Sequence, residues 1–174
     1  MLVLRCTKRV LDLFGTMPRE VQIAESAEGL GDWYVRLADD CDCEGIFFLC
    51  TNAKTLYSLI LEIDTTGYRS ISDVSDRMLA RLLEHLHGLG IVRETLAKIA
   101  EDYGHVVIGK TASRSLLGTM NDLVNHLCFH TGQQMRNAGK IDLRAIEEEL
   151  NEIPQRPIGW ALAKDRLVEL CSRM

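Results

Sequence analysis

The absences in this chain of 174 residues narrow its role first. No apolar run is long enough to cross a bilayer. No signal peptide is visible, because the apolar stretch Met1 to Cys6 is short and charge follows it at once. The sequence has no HExxH, P-loop, nucleophile elbow or CxxC pair, so the common signatures of zinc, nucleotide and acyl-transfer chemistry are missing. Positive charge is not in excess. Twenty Lys and Arg face 25 Asp and Glu, and the net charge of -5 argues against a broadly basic nucleic-acid binder while leaving a local basic groove open. No internal repeat, low-complexity segment or linker divides the chain, so residues 1–174 read as one domain.

Hydrophobic residues make up 47% and charged residues 26%, ordinary values for a globular chain with a core of its own. Six cysteines are present: Cys6, Cys41, Cys43, Cys50, Cys128 and Cys171. Without a secretory signal they read as reduced thiols in a cytoplasm. Cys41 and Cys43 sit in DDCDCE, where no second pair completes a four-ligand metal set, so they read as incidental members of a turn.

Strands are expected at Leu2 to Cys6, Val21 to Ala24, Gly45 to Thr51, Thr55 to Ile63 and Val106 to Ile108. The third and fourth form a hairpin through Thr51 to Lys54, with Asn52 able to adopt a left-handed turn conformation. Thr7 caps a helix over Lys8 to Phe14 that Gly15 ends, and Asp32 caps another carrying Trp33, Tyr34, Val35 and Leu37. After a turn at Thr65 to Gly67, Ile71 to Gly90 steps through Ile71, Val74, Met78, Leu82, Leu86 and Leu89 in threes and fours. It is the clearest long helix, capped by Ser70 or Ser72, with His85 and His87 incidental to its apolar face. Ile91 to Tyr103 follows as the second arm of a helical hairpin. Asp142 caps Leu143 to Asn151, whose Glu147, Glu148 and Glu149 read as a solvated face, and Trp160 to Cys171 closes the chain as a helix. The fold class is therefore α+β: a mostly antiparallel sheet of about four or five strands against a helical hairpin and further helices.

The most unusual stretch is Lys110 to His130, KTASRSLLGTMNDLVNHLCFH. Ser113 is a good N-cap for a helix with Leu116, Leu117, Met120, Leu123, Val124, Leu127 and Cys128 inward, and GQQMRNAGK after His130 reads as a loop. Its other side carries Asn121, Asp122, Asn125, His126 and His130 in place of the usual Glu, Lys and Arg. These are mediocre helix formers. One reading is hydrogen bonding to neighbouring loops. The other is a ligand or metal site, with His126 and His130 one turn apart as weak metal candidates.

Four separated pieces, LRCTKRVLDLFG, LGDWYVRL, TNAKTLYS and RSLLGTMNDL, together with the tail LNEIPQRPIGW, resemble a family of small bacterial proteins known only as a domain of unknown function. The resemblance implies a bacterial, cytosolic, single-domain protein and carries over no catalytic residue and no cofactor. The tail also echoes the end of some transposase integrase domains, but the separated carboxylates and strand order that such enzymes need are not visible here.

Three functions are weighed. The first is a binding module whose cationic polar pocket takes an anion: a phosphate, a nucleotide or a nucleic-acid backbone. Arg5, Thr7, Lys8, Asn52, Lys54, Arg114, Asn121 and Asp122 would line it, because all lie at the starts or ends of predicted elements. The second is a metal-dependent hydrolase or nuclease using Asp122 and His126. The third is a protein-interaction partner in a mobile-element or defence system.

Overall fold

The computed structural model describes residues 1–17, 29–39, 41, 45–63 and 70–174. Within them the chain runs β1 (Leu2–Cys6), α1 (Lys8–Phe14), β2 (Trp33–Ala38), β3 (Phe47–Asn52), β4 (Ser58–Glu62), α2 (Ile71–Gly88), α3 (Arg93–Asp102), β5 (Val106–Lys110) and α4 (Arg114–Ala138). It continues with α5 (Leu143–Asn151), β6 (Pro154–Gln155), β7 (Ala161–Leu162) and α6 (Ala163–Cys171). The expected strand at Val21 to Ala24 and the turn at Thr65 to Gly67 lie outside the described residues.

Five strands form one sheet in the order β4-β3-β2-β1-β5, and β6 pairs with β7 separately. The β2–β3–β4 half is antiparallel; β1 is parallel to both β2 and β5. The class is α+β, and the parallel pairs are what the sequence reading did not foresee. Every residue of β1 is buried, as a strand with neighbours on both edges and layers on both faces requires. Side chains alternate across a strand, so Leu37 and Arg36 point to opposite faces. Phe48, paired with Leu37, meets Phe14 of α1 at a ring distance of 5.9 Å, whereas Arg36 hydrogen-bonds Asn121 of α4. Helices α1 and α4 thus cover opposite faces.

Several expectations are corrected. Trp33, Tyr34, Val35 and Leu37 are strand β2, not a helix behind Asp32. Aromatic and β-branched residues fit a pleated surface, and three consecutive buried residues there are shared between two covered faces. The GQQMRNA segment is helix, not loop. Thr131 and Gly132 are buried and extend the packed stripe, and the helix stops at Gly139, which takes the left-handed conformation at φ 64. The last helix begins at Ala163; Trp160 has φ 62 and ends the turn that joins β6 to β7. Other starts match: Ser113 accepts a hydrogen bond from Leu116 N–H, Asp142 accepts one from Ala145 N–H, and Ser70 forms a capping box with Asp73. The hairpin closes between Asn52 and Tyr57, and the left-handed residue is Leu56 (φ 60), not Asn52.

Edge strand β4 is closed by side chains of α5. Asn151 accepts from Ser58 N–H and donates to Ser58 C=O, both at 2.8 Å, as a neighbouring strand would. Glu147 accepts from Ile60 N–H at 2.5 Å. Glu147 is 0% exposed, so only part of the Glu147 to Glu149 run is a solvated face.

Cys41 and Cys128 are joined by a disulfide with Cα atoms 4.5 Å apart, 87 residues apart in sequence. This corrects the expectation of reduced thiols throughout and gives Cys41 a role. Cys6, Cys50 and Cys171 are free and buried, and burial pushes their thiols up, Cys6 to about 12 and Cys171 to about 11.

Two stability outcomes follow. Asn151→Ala strips both partners from Ser58 and should cost about 1–3 kcal/mol in urea unfolding; an unchanged midpoint would mean that water replaces them freely. Cys128→Ser, or reduction of the parent, should cost about 2–4 kcal/mol because a long loop is released in the unfolded chain. Equal melting with and without reductant would remove the bridge as a stabilising element.

Candidate functional site

The eight residues expected to share one pocket divide among several environments. Arg5 is buried, and its Nε lies 2.5 Å from the Asp32 carboxylate while Nη1 donates to Lys110 C=O at 3.2 Å. Asp32 is also buried, so this is a desolvated ion pair that holds β1 against the start of β2. Thr7 stands at the N-cap position of α1 but makes no side-chain cap, and its hydroxyl is buried with no partner among the described residues. Lys8 is exposed on α1, and Arg114 on the first turn of α4.

Asn52 is fully buried in a local knot. Its side-chain oxygen accepts from the N–H groups of Lys54 and Thr55 and from the Thr55 hydroxyl, each at 3.0 Å, and its amide donates to Leu30 C=O at 2.8 Å. Lys54 Nζ donates to Gly29 C=O at 2.9 Å. A Cβ on Gly31, which has φ +77, would come within 2.8 Å of the Lys54 stem. Residues 29–32 therefore join two of the expected groups: Asp32 takes Arg5 with its carboxylate and Ala53 N–H with its carbonyl, while Leu30 and Gly29 take Asn52 and Lys54.

The α4 group goes elsewhere. Asn121 accepts from Arg36. Asp122 lines a cavity with Asn125, His126, Phe129 and His130, and Lys54 lines a different one. The His126 and His130 rings stack at 6.4 Å, and His130 Nδ1 lies 3.0 Å from Glu149. Among the described residues no group of three His, Cys, Asp or Glu is placed to hold a metal ion.

Two sites emerge that the sequence reading did not assemble. One is a cavity of about 400 Å³ lined by Lys54, Thr55, Ile158, Gly159, Arg166, Glu169, Leu170 and Arg173. Arg166 donates to Glu169 at 2.8 Å and to Ile158 C=O at 3.4 Å, and Arg173 reaches the other oxygen of Glu169. The hydrogen bond from Arg166, then the charge of Arg173, holds the Glu169 carboxyl below its usual range. Arg166, Glu169 and Arg173 recur at helical spacing, the signal that could have placed them on one face.

The other is a buried relay. Tyr57 Oη lies 2.9 Å from His85 Nδ1, and His85 Nε2 lies 3.0 Å from Glu147 Oε1. Arg81 donates to both carboxylate oxygens at 3.2 and 3.3 Å. An ionised carboxylate only accepts, so a proton stands on His85 Nε2, and in the neutral ring Nδ1 is then the acceptor for the Tyr57 hydroxyl. His85 is thus not incidental, whereas His87 is exposed and makes no part of this relay. Burial, reinforced by the Glu147 charge, pushes the Tyr57 phenol up, so it stays protonated at neutral pH.

The Arg5–Asp32 pair gives the sharpest test of the first group. Asp32→Ala takes the carboxylate at 2.5 Å from a buried guanidinium and should cost about 3–5 kcal/mol by chemical denaturation; a loss below about 1 kcal/mol would show that the pair adds little to the fold.

No curated protein matches the chain. A family model described as "Domain of unknown function (DUF6933)" matches residues 3–166, which takes in most of β1, the Lys54 turn, the relay and α4. The chain belongs to that family of domains of unknown function.

Proposed function

We propose that the chain is a binding module for an anionic ligand and that the ligand sits in the cleft of Lys54, Arg166 and Arg173. The observation that carries this reading is the charge balance at one cavity: among the described residues that line it, three are cations and one, Glu169, is a carboxylate. Each guanidinium has five N–H donors in a planar fork, and the contacts to Glu169 and Ile158 use one or two of them. A phosphate oxygen set matches such forks, and charge-assisted bonds of this kind are worth about 1.5–3 kcal/mol each.

The whole molecule carries a net charge of -5, so a long polyanion is repelled outside the cleft while a compact one is not. A small phosphate-bearing molecule is therefore favoured over a nucleic-acid backbone. Of the eight residues first expected, Lys54 is the one this reading keeps as a ligand contact; Arg5 and Asn52 act behind it by holding residues 29–32.

The reading also takes the protein as bacterial and cytoplasmic. Three thiols kept buried and reduced suit that compartment, and the Cys41–Cys128 bridge would then exchange with cellular dithiols. It treats α2 and α3 as arms of a helical hairpin, which the short connection at residues 89–92 supports.

Titration with inorganic phosphate and with a nucleotide tests the cleft. Trp160 is 68% exposed and follows Gly159 directly, so its fluorescence is a built-in reporter. The expected result is saturable binding, a raised melting temperature, and affinity that falls about tenfold or more in Lys54→Ala and in Arg173→Ala, each through loss of a charged bond. Parent and variants binding alike, or none binding, would discard the cleft.

A further inference from the structure

We propose that Tyr57, His85 and Glu147 form a proton relay serving a second site, a cavity between the C-terminal ends of α2 and α5 that takes a small neutral molecule with a weakly acidic hydroxyl.

The relay opens on that cavity. Tyr57 and His85 line it with Asn151, and its volume is about 240 Å³. That is below the usual range for drug-sized ligands and suits a single-ring compound. Around its rim the charges are largely matched: Lys164 pairs with Glu152 at 2.6 Å and Arg144 with Glu148 at 3.3 Å, with Glu84 beside them. With three carboxylates, Glu84, Glu148 and Glu152, against two cations, Arg144 and Lys164, this rim is net negative, in contrast to the Lys54 cleft, and favours a neutral polar guest over an anion.

The proton path is complete as built. A guest hydroxyl donates to Tyr57 Oη while the Tyr57 proton moves to His85 Nδ1. One proton leaves the guest, Tyr57 is regenerated, and His85 becomes an imidazolium. Its new charge faces the Glu147 carboxylate across 3.0 Å. The Glu147 oxygens already accept from Arg81 and the Ile60 N–H, so the carboxylate faces the ring as a fixed acceptor. Glu147 is therefore a positioning residue, and Tyr57 is the group that touches the guest. Glu147 from α5 contacts His85, Arg81 from α2 meets the same carboxylate, and Glu84, Arg144, Glu148, Glu152 and Lys164 line the cavity with His85.

The backbone presents Tyr57 at a cost. Leu56 before it sits at φ 60, in the left-handed region that a branched side chain rarely adopts. That conformation persists because Leu56 is buried and its N–H bonds Asn52 C=O.

The test uses the full chain and 4-nitrophenol, whose phenolate absorbs at longer wavelength than the phenol. Phosphate buffer keeps another anion at the Lys54 cleft. The expected result is that bound dye shows the phenolate spectrum at a pH about one unit below that of free dye, a tenfold shift, and that His85→Gln abolishes it. In the parent, nitrogen-15 histidine spectra should show His85 protonated at Nε2 alone before dye and at both nitrogens after it. That measurement holds even if the variant fails to fold. No spectral shift, a shift that survives in His85→Gln, or bound dye that leaves Nδ1 unprotonated would each overturn the relay. None of these outcomes bears on phosphate at Lys54, Arg166 and Arg173.

Discussion

A buried carboxylate holds this fold's open edge together. Glu147 is fully removed from water, yet it accepts from a strand N–H of β4, from Arg81 and from His85 of α2. Burying a charge is tolerable only when its oxygens are filled by donors and a counter-charge is near, and both conditions are met. With Asn151 one turn later, it lets a helix finish a sheet. An edge strand normally exposes unpaired N–H and C=O groups and invites pairing with other chains. Here α5 supplies side-chain amide and carboxylate groups in place of a sixth strand, and α2 is locked to the same point.

A second organising element is residues 29–32. Four consecutive residues hand out a carboxylate and carbonyls to Arg5, Ala53, Asn52, Lys54 and Tyr103. This segment carries the β1–β2 contact across to the β3–β4 turn. It also sets where the Lys54 stem lies, since Gly31 leaves room for it. The two cavities argued for function sit on either side of that turn: Lys54 faces one and Tyr57 the other, three residues apart in the chain.

Much of the fold was legible because local signals agreed with the final packing. Continuous apolar runs at Leu2 to Cys6 and Gly45 to Thr51 became covered strands, and Ser70, Ser113 and Asp142 capped helices where expected. Trp33 to Ala38 was misread because a strand covered on both faces shows no alternation, and Asp32 looked like a cap while serving as an ion-pair partner. The end of α4 is polar enough to resemble a loop, although its Gln, Met, Arg and Ala favour helix. The sites were less legible. Lys54 could be chosen from its turn, but Arg166, Arg173, His85 and Glu147 gain meaning only from partners between three and 119 residues away. Glu147 stands in a row of three glutamates, and nothing in that row says that the first meets a strand edge and the other two meet solvent.

The Cys41–Cys128 bridge has a topological consequence. It turns β3, β4, α2, α3, β5 and the first half of α4 into a covalent ring, with β1, α1 and β2 on one arm and α5 and α6 on the other. Tension applied to the two chain ends would travel through the sulfur atoms and bypass everything between them. The chain between these cysteines, which stand 87 apart in sequence, about 300 Å when extended, would stay slack under load until the bond is cut, so the oxidised molecule is a far shorter tether than its sequence length implies.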